Sequence, residues 1–102
     1  MLQSENRVIM VSGANRGIGL AIAQNLYAKG YILSLGARSV EDVDKVASNF
    51  DPSRVMTHVY RAADAETGKA WVASTIDRFG RIDGLVNNAG MGGGVNLEDD
   101  DD

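Results

Sequence analysis

The sequence predicts an α/β fold, a doubly wound parallel sheet with strand order 3-2-1-4. Three observations predict it. Short apolar runs of strand length alternate with stretches of helical periodicity from Val8 to Val86. The first two runs, Val8–Val11 and Tyr31–Ala37, are nearly continuous, the pattern of strands buried on both faces. Gly13, Gly17 and Gly19 stand together at the corner between the first run and the first helical stretch. Right-handed crossovers leave few topologies for such a chain, and they put the glycine corner at the switch point between strands one and four.

Each element follows from its local pattern. Residues 1–6 read as a polar lead-in and residues 7–12 as the first strand. The first helix is expected over 17–29, with Ile18, Ile22 and Leu26 as its buried stripe and Gly30 as its stop. Tyr31–Ala37 is the second strand, followed at once by Arg38. Ser39 opens the second helix in capping-box fashion with Asp42. That helix presents Val40, Val43, Val46, Ala47 and Phe50 as its apolar face, and Asp51 and Pro52 break it. In the third strand, residues 55–61, Val55, Thr57, Val59 and Arg61 alternate with Met56, His58 and Tyr60. Asp64 leads into a third helix over 66–79, buried through Val72, Ile76 and Phe79 and ended by Gly80. Ile82–Val86 is the fourth strand, and Asn87–Gly90 (NNAG), Met91 and three glycines follow it. Gly92–Gly94 suit neither a helix nor a strand interior and read as a mobile loop at the ligand-binding edge of the sheet.

Composition narrows the function classes. At 102 residues the chain holds one domain at most. No apolar run approaches the roughly eighteen residues of a membrane span, and no signal-peptide pattern opens the chain. Without cysteine there is no disulfide, thiolate metal site or cysteine nucleophile, which fits a cytoplasmic protein. The net charge of −4 is concentrated in the run Glu98–Asp102. No basic stripe for nucleic acid and no cationic amphipathic helix for a membrane surface is present. The acidic run lacks the spaced ligands of a cation site and reads as solvated, and no metal site is expected.

The glycine corner is the candidate site. A strand, a tight turn and a helix in that order aim unpaired backbone N–H groups and the positive helix end outward, which suits an anion. The spacing is G-x-x-x-G-x-G. Gly13 takes the turn, Gly17 lets a pyrophosphate approach the backbone, and Gly19 lets the helix pack close to the strand.

VSGANRGIG after the first strand and LVNNAG at the end of the fourth, with Arg38 and Asp64 at strand ends between them, resemble the N-terminal half of a short-chain dehydrogenase/reductase. The resemblance spans residues 7–94, and Ser12 stands where threonine is more usual. It implies a Rossmann-like sheet, truncated here: residues 1–94 as the first half of a dinucleotide-binding domain, and 95–102 as an acidic tail or the start of a continuation. Ser12, Gly13, Asn15, Arg16, Gly17, Ile18 and Gly19 would surround the pyrophosphate and adenosine ribose. Ala63 and Asp64 would meet the adenine, and Asn88, Ala89 and Gly90 the ribose on the nicotinamide side. Asp64 also reads as a cap for the third helix, a compatible role.

A site for NAD needs an acid near the end of the second strand to bind the ribose 2′-OH. Here that place holds Ala37 and then Arg38, with Arg16 near, so NADP(H) is expected over NAD(H). The family's tyrosine, its lysine four residues on, and its serine and asparagine all fall after NNAG. No lysine here has a tyrosine four residues before it: Asn25, Glu41 and Ala65 stand there. His58, mid-strand, reads as a packed or edge side chain. The chain alone is therefore expected to be inactive, the half of an alcohol/carbonyl oxidoreductase that binds cofactor. The family commonly forms dimers or tetramers. A non-catalytic NADP(H)-binding module and a relic that binds nothing are the alternatives. With one sheet face thinly covered, the fragment is expected to need a continuation or a partner subunit to stay ordered.

Overall fold

The computed structural model describes residues 6–88. Ala89, Gly90, the Gly92–Gly94 loop and the acidic tail lie outside the described residues. Four parallel strands, β1 (Val8–Ser12), β2 (Ile32–Ala37), β3 (Val55–Val59) and β4 (Gly84–Val86), form one sheet. Their order is β3-β2-β1-β4, as the crossover rule predicts. Helices connect them: α1 (Gly17–Ala28), α2 (Val40–Ala47) and α3 (Ala65–Phe79). A 3-10 turn, Pro52–Arg54, leads into β3. None of the helices among the described residues is long and apolar enough to cross a membrane.

Alternation along β2 separates the two faces. Leu33, Leu35 and Ala37 join Val11, Ala14, Ala23, Val43 and Val55 in one core with α1 and α2. Ser34 and Gly36 point the other way and meet Trp71 and Thr75 of α3. That second contact is polar and complete. The Trp71 indole N–H donates to Ser34 Oγ at 2.8 Å, and Thr75 Oγ1 donates to the Trp71 carbonyl at 2.8 Å. Thr75 has then spent its one proton, so Ser34 is the donor in the 2.8 Å contact between the hydroxyls. Gly36 makes room for the indole, since a Cβ there would lie 2.7 Å from Trp71 ring carbons.

The helix faces differ from the expected stripes. Ile18, placed in the buried stripe of α1, is 66 % exposed, while Gly19 and Ala23 are the buried positions. Ile18 sits in the first turn, beyond the end of the sheet, so it has nothing to pack on. On α3, Val72 and Ile76 are 45 % and 44 % exposed, and Trp71 and Thr75 are buried instead. The buried face is turned by one residue because the indole follows the gap over Gly36. Val72 and Leu85 thereby border an open groove of about 540 Å³ against Met10, Tyr60 and Trp71. Val40, in the first turn of α2, is likewise exposed, and Val43 carries that helix's contact. β3 ends at Val59 rather than at residue 61, although the Tyr60 N–H still donates to the Ala37 carbonyl at 2.9 Å.

Candidate functional site

β1 delivers the chain to the carboxyl edge of the sheet, and Gly13 turns it there with φ 64°. Gly17 begins α1 with φ 61°, a conformation that costs a residue with a Cβ roughly 1–2 kcal/mol. A Cβ at Gly17 would meet nothing within 4 Å, so the backbone at that point faces open space. Gly19 is the reverse. A Cβ there would fall on the Gly13 carbonyl and 2.8 Å from Asn88 Nδ2, so only glycine lets the helix start close against the turn.

β4 holds the turn from the other side. Asn88 Nδ2 donates to the Gly13 carbonyl at 3.3 Å. Ser12 Oγ lies 3.2 Å from Asn87 Oδ1 and 3.4 Å from the Val86 carbonyl. The two asparagines thus tie the ends of β1 and β4 together, and Ser12 supplies the hydroxyl that the tie uses.

The three helix starts are not equivalent. α2 is capped by Ser39, whose Oγ accepts from the Asp42 N–H, and has Glu41 and Asp42 in its first turn. α3 is capped by Asp64, whose Oδ1 accepts from the Glu66 N–H at 3.0 Å, and has Glu66 in its first turn. α1 has Arg16 at its cap position with no side-chain hydrogen bond, and no acid in its first turn. Its leading N–H groups are left for another acceptor, and no carboxylate competes with an anion.

Arg16 and Arg38 are exposed and make no salt bridge with any described residue. Arg38 directly follows the last residue of β2. Asn15 is half-buried in the turn, and Ala63 and Asp64 are exposed at the start of α3. The described members of the expected site therefore lie along one edge of the sheet. His58 sits on β3 with Nδ1 2.7 Å from the Val59 carbonyl.

Sequence reasoning missed Thr67. Its Oγ1 accepts from the Arg61 N–H at 3.0 Å and faces the Arg61 and Asp64 carbonyls at 3.0 and 2.7 Å. One hydroxyl thus fastens the whole turn 61–64. A threonine three residues after a helix-capping aspartate is the signal that points to it.

The profile of the short chain dehydrogenase family matches residues 7–102. This chain belongs to that family. The short-chain dehydrogenases are oxidoreductases, and the relatives of this one are reductases and dehydrogenases by name. Agropine synthesis reductase of Rhizobium rhizogenes is 52 % identical over 100 residues, which cover 96 % of this chain and 23 % of that protein. A short-chain dehydrogenase/reductase of Brucella melitensis superposes with TM-score 0.77 at 38 % identity, over 83 % of this chain and 37 % of that one. A metagenomic short-chain oxidoreductase solved in complex with NADP gives TM-score 0.77 at 34 % identity, over 86 % and 41 % of the two chains. The chain thus spans between about a quarter and two fifths of the length of these relatives.

Proposed function

We propose that this chain is the cofactor-binding half of an NADP(H)-dependent oxidoreductase that interconverts an alcohol and a carbonyl on a small molecule. The observation that carries the reading is the uncapped start of α1 at an open Gly17, flanked by Arg16 and Arg38, which pair with no described acid. The residues fit a dinucleotide: the α1 N–H groups and Gly17 take the diphosphate, and Arg38 with Arg16 takes the ribose 2′-phosphate. The turn 61–64, with Ala63 and Asp64, borders the adenine. Asn88 borders the nicotinamide ribose. Arg38 selects because a charge-assisted hydrogen bond is worth about 1.5–3 kcal/mol, roughly a ten- to hundredfold preference for the phosphorylated cofactor. NADP complexes among the relatives' structures support the choice.

The cofactor supplies or accepts the hydride. What this chain's own residues do is bind it, orient it, and keep acid away from the phosphates. No tyrosine precedes a lysine by four residues here, and no histidine stands at the site, so we propose that the 102-residue chain alone does not turn over substrate. In the proposed full protein, residues from outside this chain supply the proton to the substrate oxygen, and the subunits assemble as a homo-oligomer.

Fluorescence titration with NADPH and NADH tests the cofactor reading. The wild-type chain is expected to bind NADPH more tightly, and Arg38→Ala to lose a ten- to hundredfold preference. An unchanged preference in Arg38→Ala would refute it.

A further inference from the structure

The turn from β3 to α3 is held by a side chain from outside it. Residues 61–64, RAAD, include neither glycine nor proline, so no residue of the turn fixes its own backbone. Thr67, in the first turn of α3, does so instead. Its Oγ1 accepts from the Arg61 N–H at 3.0 Å, and its proton goes to the Asp64 carbonyl at 2.7 Å. The Asp64 N–H closes the turn on the Arg61 carbonyl at 2.9 Å. Strand and helix are also joined without Thr67. The Tyr60 N–H donates to the Ala37 carbonyl at 2.9 Å, and the Tyr60 ring packs on Trp71 with centroids 5.0 Å apart. The Thr67 hydroxyl therefore sets the shape of the turn rather than the docking of α3.

Both ends of the turn are satisfied and its middle is not. Ala62 and Ala63 are exposed, and their N–H groups meet no acceptor among the described residues. Their methyl side chains leave room for a flat ring. Backbone donors on a fixed turn suit a base that presents an acceptor, as adenine does at N1. Hypoxanthine has nearly the same shape but carries a donor at N1, and donor facing donor leaves both unpaired. A turn free to shift would move its N–H groups aside and tolerate either base. A pinned turn cannot, so the discrimination depends on the pin.

We infer that Thr67 is a positioning residue for base selectivity: it fixes the Ala62 and Ala63 N–H groups so that the turn takes adenine and refuses hypoxanthine. The inference rests on the reading in which the turn 61–64 borders the adenine, and it adds a selectivity to that reading. Thr67 itself touches no ligand. It acts through the backbone of the turn.

Fluorescence titration of the full 102-residue chain with NADPH and with its hypoxanthine analogue tests it, since the two differ only at the base. Wild type is expected to prefer NADPH roughly tenfold, and Thr67→Val to cut that preference about fivefold. Thr67→Ala, which also lacks the hydroxyl, should match the valine variant, and Thr67→Ser should restore the preference. A purely structural role would weaken both dinucleotides alike and leave their ratio unchanged. That result, or equal binding of the two by wild type, would overturn the inference and leave the cofactor reading standing. A wild-type chain that binds neither dinucleotide would overturn both.

Discussion

The two ends of the sheet both carry arginines, paired at one end and unpaired at the other. At the amino edge every arginine has a partner. Asp83 accepts from the Val8 N–H at 2.8 Å and from Arg81 Nε and Nη2 at 2.8 and 2.6 Å, with Arg7 3.5 Å away. The Asp83 N–H in turn donates to the Val8 carbonyl, so one aspartate fastens β4 to β1 through side chain and backbone together. Arg54 lies over the Tyr27 ring at 3.9 Å, and Tyr27 stacks on Phe50 at 4.2 Å, which locks the ends of α1 and α2 to the start of β3. At the carboxyl edge the cations and the first N–H groups of α1 are left without protein partners among the described residues. The difference fits the proposed function, in which the amino edge serves folding and the carboxyl edge binding. A group paired internally stabilises the chain, and an unpaired one is available to a ligand.

Substitutions at the two ends should therefore separate stability from affinity. The largest effect is expected where the two roles meet, at Gly19. Gly19→Ala puts a methyl on the Gly13 carbonyl, and because that neighbour is backbone the turn itself must move. We expect a stability loss of at least the ~1–3 kcal/mol typical of overpacking, and dinucleotide binding abolished in fluorescence titration. Next comes the pure binding effect. Arg38→Ala should lose its cofactor preference while its thermal midpoint stays within a degree or so, because the side chain supports nothing in the fold.

At the other end the expectation reverses. The Arg81 guanidinium, then the Val8 N–H, hold the Asp83 carboxyl below its ordinary value of 3.8. A carboxyl depressed on folding stabilises the chain above its unfolded value and loses that contribution as pH falls through its folded one. Asp83→Asn should thus lower the thermal midpoint relative to wild type between pH 5 and 8. The gap should close below about pH 3.8, and NADPH affinity at neutral pH should be unmoved. The smallest effect separates the two roles of Asp64. Asp64→Asn keeps a good cap and Asp64→Ala removes it, so only the alanine variant should lose about 1 kcal/mol in thermal denaturation. If the Asp64→Asn variant also binds NADPH as wild type does, the negative charge of Asp64 has no part in reading adenine.

Much of this was legible in the chain itself. Strand order, three helices and the stops of the first and third follow from apolar periodicity and from Gly30 and Gly80, because those are local signals. The second helix instead ends at Ala47, before the expected break at Asp51 and Pro52. The glycine corner was legible for the same reason: positive φ at Gly13 and Gly17 and the close approach at Gly19 demand glycine. The face of α3 was not. Val72, Ile76 and Phe79 make as good a stripe on paper as Trp71 and Thr75. Only the partnership of Trp71 with Ser34 and Gly36, 37 and 35 residues away in sequence, decides between them. The charge contrast between the edges was hidden likewise. That Arg7 pairs with Asp83 while Arg38 pairs with no described acid depends on which strand ends meet, a tertiary fact.

A crystal structure of the chain with NADPH tests the central claim most directly. The account predicts the diphosphate against the N–H groups at the start of α1, over Gly17, with the 2′-phosphate in contact with Arg38. A nucleotide seated in the apolar groove beside Trp71 and Leu85, or at the amino edge among the paired arginines, would contradict it.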